Sequence, residues 1–312
     1  MIKTASVVPG IDQDLAHVTA VRHELHRHPE LGYEERRTCE VIERELEEIG
    51  LEFRGGLAGG TGVVAWLPAT SNPDSAATIG LRADIDALPI HEETGLAYAS
   101  EKPGVMHACG HDGHTANLIG VARALSRMDN RPNNVIFVFQ PAEEGGAGAD
   151  RMCKDGALNG SVIGRPVDRM FGLHGWPELE VGKIATRNGP LLASTDEIDI
   201  TIRGNGCHAA YPHLGVDPVV VTAHVITALQ TVASRTVAPV DSVVVTFGAI
   251  HGGDARNVIP NEVKINGTVR TLHAETRKRV EQVIRQITTD TARAFGGEAV
   301  IDWHGGYPVT KN

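Results

Sequence analysis

Cys109 and His111 are separated by a single glycine, and the residues that could join them, the adjacent pair Glu143-Glu144 and then His174, lie far along the chain. Thiolate and imidazole suit a borderline-soft ion such as zinc, and carboxylate suits a harder one. The Cys-Gly-His spacing lets sulfur and imidazole reach one ion across a glycine turn. A Cys or His taken alone more often packs or lies on the surface. Several of them at successive strand ends, in an acidic protein without a phosphate loop, point to a metal crevice instead. Adjacent carboxylates are usually a solvated charge pair, but Glu143 and Glu144 follow an apolar run and Pro141 and precede Gly145-Gly146, which excludes a solvent-facing helix. One carboxylate can then bind metal while its neighbour takes a proton from water that the ion acidifies.

Such residues need a framework, and open α/β sheets gather ligands beyond the carboxyl ends of their strands. The apolar runs 77–81, 134–140 and 170–173 predict strands that lead into Arg82-Ala83-Asp84-Ile85-Asp86, Pro141-Ala142-Glu143-Glu144 and His174-Gly175-Trp176 respectively. Between the first two, residues 107–114 form a loop just before a helix expected near 115–128. Leu15, Val18, Val21 and Leu25 recur at helical spacing, with Asp12 as a candidate cap and His28-Pro29 as a stop. A second helix is expected over 34–49, with Val41, Ile42, Leu46 and Ile49 inward and Gly50 closing it. A strand at 62–67, a turn at 68–75 and a short helix near 149–158 complete an α/β/α catalytic domain with a mostly parallel central sheet. After Gly189 the predicted order is β-α-β-β-α-β, the ferredoxin-like arrangement. The expected domains are thus 1–188, 189–305, and a return toward the first beginning at 306–312.

Composition narrows the function further. A formal net charge of -10 without a basic stripe argues against a nucleic-acid partner, whose phosphates need clustered Lys and Arg. Apolar runs such as 135–139 and 219–221 fall far short of the roughly 20 residues of a membrane span. Residues 1–9 carry no apolar leader core, so a cytoplasmic protein is expected. The cysteines lack paired spacing, which predicts free thiols that pack as small hydrophobes at Cys39, Cys153 and Cys207.

The segments HRHPELGYEE, LRADIDALP, HACGHDGHTA, FQPAEEGGAGA, GLHGWP and RNGPLLAS, in that order, resemble the hippurate hydrolase, N-acyl-amino-acid amidohydrolase and auxin-conjugate hydrolase family of dinuclear metallohydrolases. The resemblance runs from about Leu15 onward. It implies two divalent ions, Zn2+ or Mn2+ with Ni2+ or Co2+ also open, bridged by Cys109 and further held by His111, Glu144 and His174. It implies Glu143 as general base and acid and Asp86 as a supporting carboxylate. Asp84 is a second candidate for that supporting role, and strand-end capping is the other reading of both aspartates. The second domain would be a lid that forms a homodimer. His208 would reach the partner subunit's site to stabilise the oxyanion, while Asn257 and Arg270 would bind substrate, Arg270 through the substrate carboxylate. The implied reaction splits the amide of an N-acyl-amino acid. A dipeptidase or N-acetyl-diaminopimelate deacetylase would use the same site, and a non-catalytic metal-binding or dimerisation protein is the reading from another class. His17, His23, His26 and His28 converge on no single helix face and are taken as family pattern on an exposed helix.

Members of that family continue past the lid with a segment that completes the first domain and supplies one more metal-binding His. No residue of this sequence can be nominated for that ligand, and His304, on the last lid strand, is a poor substitute. The expectation is therefore two unequal ions and some exposed apolar surface on the first domain.

Overall fold

The computed structural model describes residues 11–312, so the leader reading of residues 1–9 lies outside them. The chain divides into a unit that ends at Glu180 and a second one, Val181–Asn312.

The first unit runs α1 (Ile11–Arg27), α2 (Arg36–Ile49), β1 (Glu52–Leu57), β2 (Gly62–Leu67), β3 (Thr78–Asp84), α3 (His111–Ser126), β4 (Asn134–Gln140), α4 (Gly148–Lys154) and β5 (Arg169–Gly172). Its five strands lie in the order β1-β2-β4-β3-β5. The central sheet is mixed, which corrects the mostly parallel expectation: β3 is parallel to β4 and β5, but β2 is antiparallel to both β1 and β4. The reason is a hairpin that the hydrophobic pattern hides. β1 reads EFRGGL, mostly exposed, and only a tight turn separates it from β2, so the pair must be antiparallel.

β4 is buried along its whole length and divides its side chains between two cores, as alternation in a strand requires. Phe137 and Phe139 face a cluster with Ile42, Leu46 and Ile119, from α2 and α3. Ile136 and Val138 face the other way, toward Val64 and Met152 of α4. The helical face of α2 is as expected: Val41, Ile42 and Leu46 are buried, and Gly50 closes the helix at φ 80°. Two details differ from expectation. Asp12 lies inside the first turn of α1 rather than capping it. Helix α3 begins at His111, so His111, Asp112 and His114 belong to its first turn and not to a preceding loop.

The second unit contains β6 (Pro190–Leu192), β7 (Asp196–Arg203), β8 (Cys207–His208), α5 (Pro218–Thr231), β9 (Val243–His251), β10 (Val258–Ile259), β11 (Glu262–Thr271), α6 (Ala274–Ala294), β12 (Glu298–Gly305) and β13 (Thr310–Lys311). Its main sheet has the order β12-β7-β11-β9, antiparallel throughout, with α5 and α6 packed on it. Ile198, Ile200 and Ile202 alternate inward along β7 and meet Val225, Leu229, Val280 and Ile284 of the helices. Asp217 caps α5 by accepting from the Val219 and Val220 amides, with Pro218 as its first residue. The short strands pair as β8 with β10 and β6 with β13. Among the described residues no helix is long and apolar enough to cross a membrane.

Candidate metal centre

Three strand tips and one helix start converge in the first unit. Gly110 takes the left-handed conformation at φ 85°, a region open to glycine at little cost, and so turns the chain sharply between Cys109 and the first residue of α3. Cys109 Sγ then lies 3.5 Å from His174 Nε2, beyond the tip of β5. Ligand atoms of Cys109, His111 and His174 all lie within 4.8 Å of one another, and so do those of His111, Glu143 and Glu144. His111 is common to both groups.

His111 is fully buried and its ring is clamped from one side. Its Nδ1–H donates to the Asp86 carbonyl at 2.9 Å and faces Asp86 Oδ1 at 3.2 Å. Asp86 Oδ2 in turn accepts from the Glu144 amide at 3.0 Å, so one carboxylate orients an imidazole and fixes the neighbouring turn. His111 Nε2 has no hydrogen-bond partner although it is buried. A buried nitrogen without a partner is costly unless something binds it, and here it faces Asp84 Oδ2 at 3.6 Å and Glu144 Oε1 at 3.9 Å. Burial opposes charge on His111, but Asp86, Cys109 and Asp84 outweigh it and hold its pKa at about 11. The Cys109 hydrogen bond raises His174 to about 9, and His111 and His174 together lower the Cys109 thiol toward its thiolate, the form that binds metals. This donor set, with its orphaned nitrogen, fits a divalent ion.

The Glu143-Glu144 turn is held by residues the sequence reading did not single out. Ala142 adopts φ 48°, unusual for a residue with a Cβ, and its amide donates at 2.8 Å to the fully buried Glu35. The Tyr33 hydroxyl donates to the Gly146 carbonyl. Gly148 is required by space: a Cβ there would lie 1.7 Å from the Pro141 carbonyl oxygen. Burial raises the Glu143 carboxyl pKa, and the negative Asp84 and Glu144 nearby raise it further. Both Glu35 and Tyr33 stand in HRHPELGYEE, a segment that carried only resemblance. Its composition gave no sign that it supports a turn more than 100 residues away.

Asp84 and the α1 histidines also acquire partners. Asp84 Oδ1 accepts from His114 Nδ1 at 2.6 Å, and Arg82 Nη1 lies 2.7 Å from Oδ2. The exposed-helix reading of the histidine cluster is corrected at His26, which is buried between Asp112 at 2.9 Å and Glu92 at 3.3 Å. His17 meets Glu45 and Glu48, but Arg123 Nη2 lies 2.7 Å from Glu45, 3.0 Å from Glu48 and 3.0 Å from His17 Nε2, so a guanidinium already fills that cluster.

In the second unit, His208 and Asn257 come together on the β8–β10 ribbon, where the Ala209 amide donates to the Asn257 carbonyl at 3.0 Å. The exposed His208 accepts the Ala210 amide on Nδ1 at 3.1 Å. Arg270, on β11, is half-buried, and its Nη1 donates to the backbone oxygens of Val269 at 3.2 Å and Asp196 at 3.4 Å.

The model of "Peptidase family M20/M25/M40" matches residues 80–292. The chain is 45% identical over 293 residues to an N-acetyl-L-cysteine deacetylase of Bacillus subtilis, covering 94% of this chain and 68% of the relative. It is 42% identical over 294 residues to an N-acetyldiaminopimelate deacetylase of Enterococcus faecalis, covering 94% and 76%. Among solved structures it resembles a Bacillus subtilis dinuclear metal binding peptidase from the M20 family, with a TM-score of 0.77 and 36% identity over 95% of this chain and 75% of that one.

Proposed function

This chain belongs to peptidase family M20/M25/M40, hydrolases that act on amide bonds, and from that premise we propose that it cleaves an N-acyl-amino acid to a carboxylic acid and a free amino acid. The observation that carries the proposal is the half-buried Glu143, its carboxyl pushed upward, next to a sulfur, imidazole and carboxylate cluster. The deacetylase names of the relatives favour acetyl as the acyl group, with a hippurate-like benzoyl group as the second reading.

Cys109, His111, Glu144 and His174 would hold two divalent ions, zinc or manganese, which supply electrophilic activation of the scissile carbonyl and a more acidic water. With Nδ1 committed to Asp86, the His111 ring has one lone pair left and serves one ion. The Cys109 thiolate, which has more than one lone pair, would take the bridging place that the family resemblance implies for it. Glu143 takes a proton from the attacking water and delivers it to the leaving nitrogen, a task suited to a carboxyl lifted toward neutrality. His208, accepting on Nδ1, keeps its ring proton on Nε2, where it can donate to a developing oxyanion. In this reading it does so in the site of a partner subunit, within a homodimer formed by the second unit. Arg270 leaves Nε and Nη2 side by side for the substrate carboxylate, and Asn257 adds an amide beside His208.

Glu143→Gln tests the assignment. It should retain metal content while turnover falls by about 10²- to 10⁴-fold, and near-normal turnover would reject the role. The wild type should show its highest kcat/KM on N-acetyl-amino acids in a panel with hippurate, indole-acetyl conjugates and dipeptides. Turnover of none of these amides by a folded, metal-loaded protein would favour the non-catalytic reading.

A further inference from the structure

His114 lies within ligand distance of Asp84 and His111, so by position it belongs with the metal ligands. Its hydrogen bonds say otherwise. Nδ1–H donates to Asp84 Oδ1 at 2.6 Å, and Nε2 accepts the Gly175 amide at 2.8 Å. Both nitrogens are committed, so no lone pair is left for an ion. Asp84 is committed on Oδ1 alone: Oδ2 makes no hydrogen bond, with Arg82 Nη1 at 2.7 Å and His111 Nε2 at 3.6 Å, while Arg82 Nε donates to Gln140 at 2.9 Å.

What this chain of bonds reaches is Gly175, and through it His174. The Gly175 carbonyl accepts from His174 Nδ1 at 2.7 Å, which leaves the Nε2 lone pair of His174 facing Cys109. One residue, Gly175, thus meets His114 through its N–H and sets the His174 tautomer with its C=O. The His114 and His174 rings also pack edge to face, centroids 4.8 Å apart. The anchor matters because β5 and residues 173–178 are exposed throughout and, among the described residues, β5 pairs only with β3.

We propose that His114 is a positioning residue for the metal centre: Asp84 fixes its proton on Nδ1, and its free Nε2 captures the Gly175 amide and thereby places the His174 imidazole against Cys109. Asp84 is essential to this arrangement. Without a carboxylate on Nδ1 the ring can carry its proton on Nε2, which would then meet the Gly175 N–H donor to donor.

This inference rests on the reading of Cys109 and His174 as ligands, and the experiment separates the two. Cobalt(II) titration of the full chain, followed by the thiolate-to-cobalt charge-transfer band, would compare wild type with His174→Ala, His114→Ala, His114→Gln and Asp84→Asn. His174→Ala should abolish tight binding of one ion. His114→Ala should weaken that same ion by about 10- to 100-fold and spare the other. His114→Gln, whose side-chain oxygen can still accept from Gly175, should return to within a few-fold of wild type. Asp84→Asn, which frees the tautomer, should weaken the same ion, and it carries the test if the alanine variant does not fold. Wild-type affinity in His114→Ala or in Asp84→Asn would overturn the proposal. So would a glutamine variant as impaired as alanine, the result expected of a true ligand. No effect of His174→Ala would instead reject the ligand reading beneath it.

Discussion

The three imidazoles around the centre each give their Nδ1–H to a different oxygen: the Asp86 carbonyl, Asp84 Oδ1 and the Gly175 carbonyl. That shared choice leaves three Nε2 lone pairs, two facing the Cys109 sulfur or its surroundings and one spent on the Gly175 amide. Donor types and spacing marked a crevice at Cys109, His111, Glu143-Glu144 and His174, and the resemblance implied which of them are ligands, but one-dimensional spacing cannot separate His111 from His114, three residues on, because their difference lies in what holds the other nitrogen. His26 shows the same limit. Its partners, Glu92 and Asp112, come from segments 66 and 86 residues away. The hydrogen bond to Asp112 raises its pKa, with burial opposing and Glu92 adding. A histidine whose folded pKa lies above its unfolded value, about 6.5, contributes stability that is complete below that pH and lost as pH rises through the folded value. His26→Gln should therefore be less stable than wild type by about 1–2 kcal/mol at pH 6, with the gap closing toward pH 9 in urea unfolding. A gap that stays constant across that range would show that the proton on His26 is not what stabilises the contact.

At the level of elements, the catalytic turn between β4 and α4 depends on close backbone approach, and two glycines separate that effect from conformational freedom. Gly50 sits at φ 80° with open space where a Cβ would go, whereas a Cβ on Gly148 would overlap the Pro141 carbonyl oxygen at 1.7 Å. Gly50→Ala should cost about 1 kcal/mol, the penalty of a left-handed residue, and leave activity unchanged. Gly148→Ala must push the Pro141–Ala142 backbone aside, and should cost more than twice as much and carry Glu143 and Glu144 out of register. Equal losses in thermal midpoint and activity for the two variants would contradict this account of the turn. The same turn explains what could be read from the chain. β4 holds an unbroken apolar run, 135–139, bounded by Asn134 and by Gln140-Pro141, and its limits are legible; the alternation along β7 is equally plain. β1 is not, because two glycines and an arginine in EFRGGL erase the period of a strand, and with β1 went the direction of β2. Helix α3 starts earlier than the apolar periodicity because its first turn is polar, its His and Asp side chains buried by partners rather than by hydrophobicity.

On the scale of the whole chain, the hydrophobic clusters never cross the boundary near Glu180: the two around β4 draw only on residues before it, and the one beneath β7 and β11 only on residues after it. Among the described residues, the candidate metal-ligand groups fall in the first unit. A ligand stabilises only the folded state that binds it, by about 2.7 kcal/mol at a free concentration 100 times its Kd. Two separately packed units with one metal centre should thus unfold as two calorimetric transitions, of which a chelator lowers one. Ile284→Ala identifies the other, since it removes a fully buried side chain from the second core at a cost of about 2–5 kcal/mol. The expected outcome is additive: chelation moves the transition that Ile284→Ala leaves alone, and the two perturbations together shift both peaks by their separate amounts. If chelation instead lowers the peak marked by Ile284→Ala, or both peaks equally, the metal does not reside solely among Cys109, His111, Glu144 and His174, and a ligand from the second unit must complete the centre.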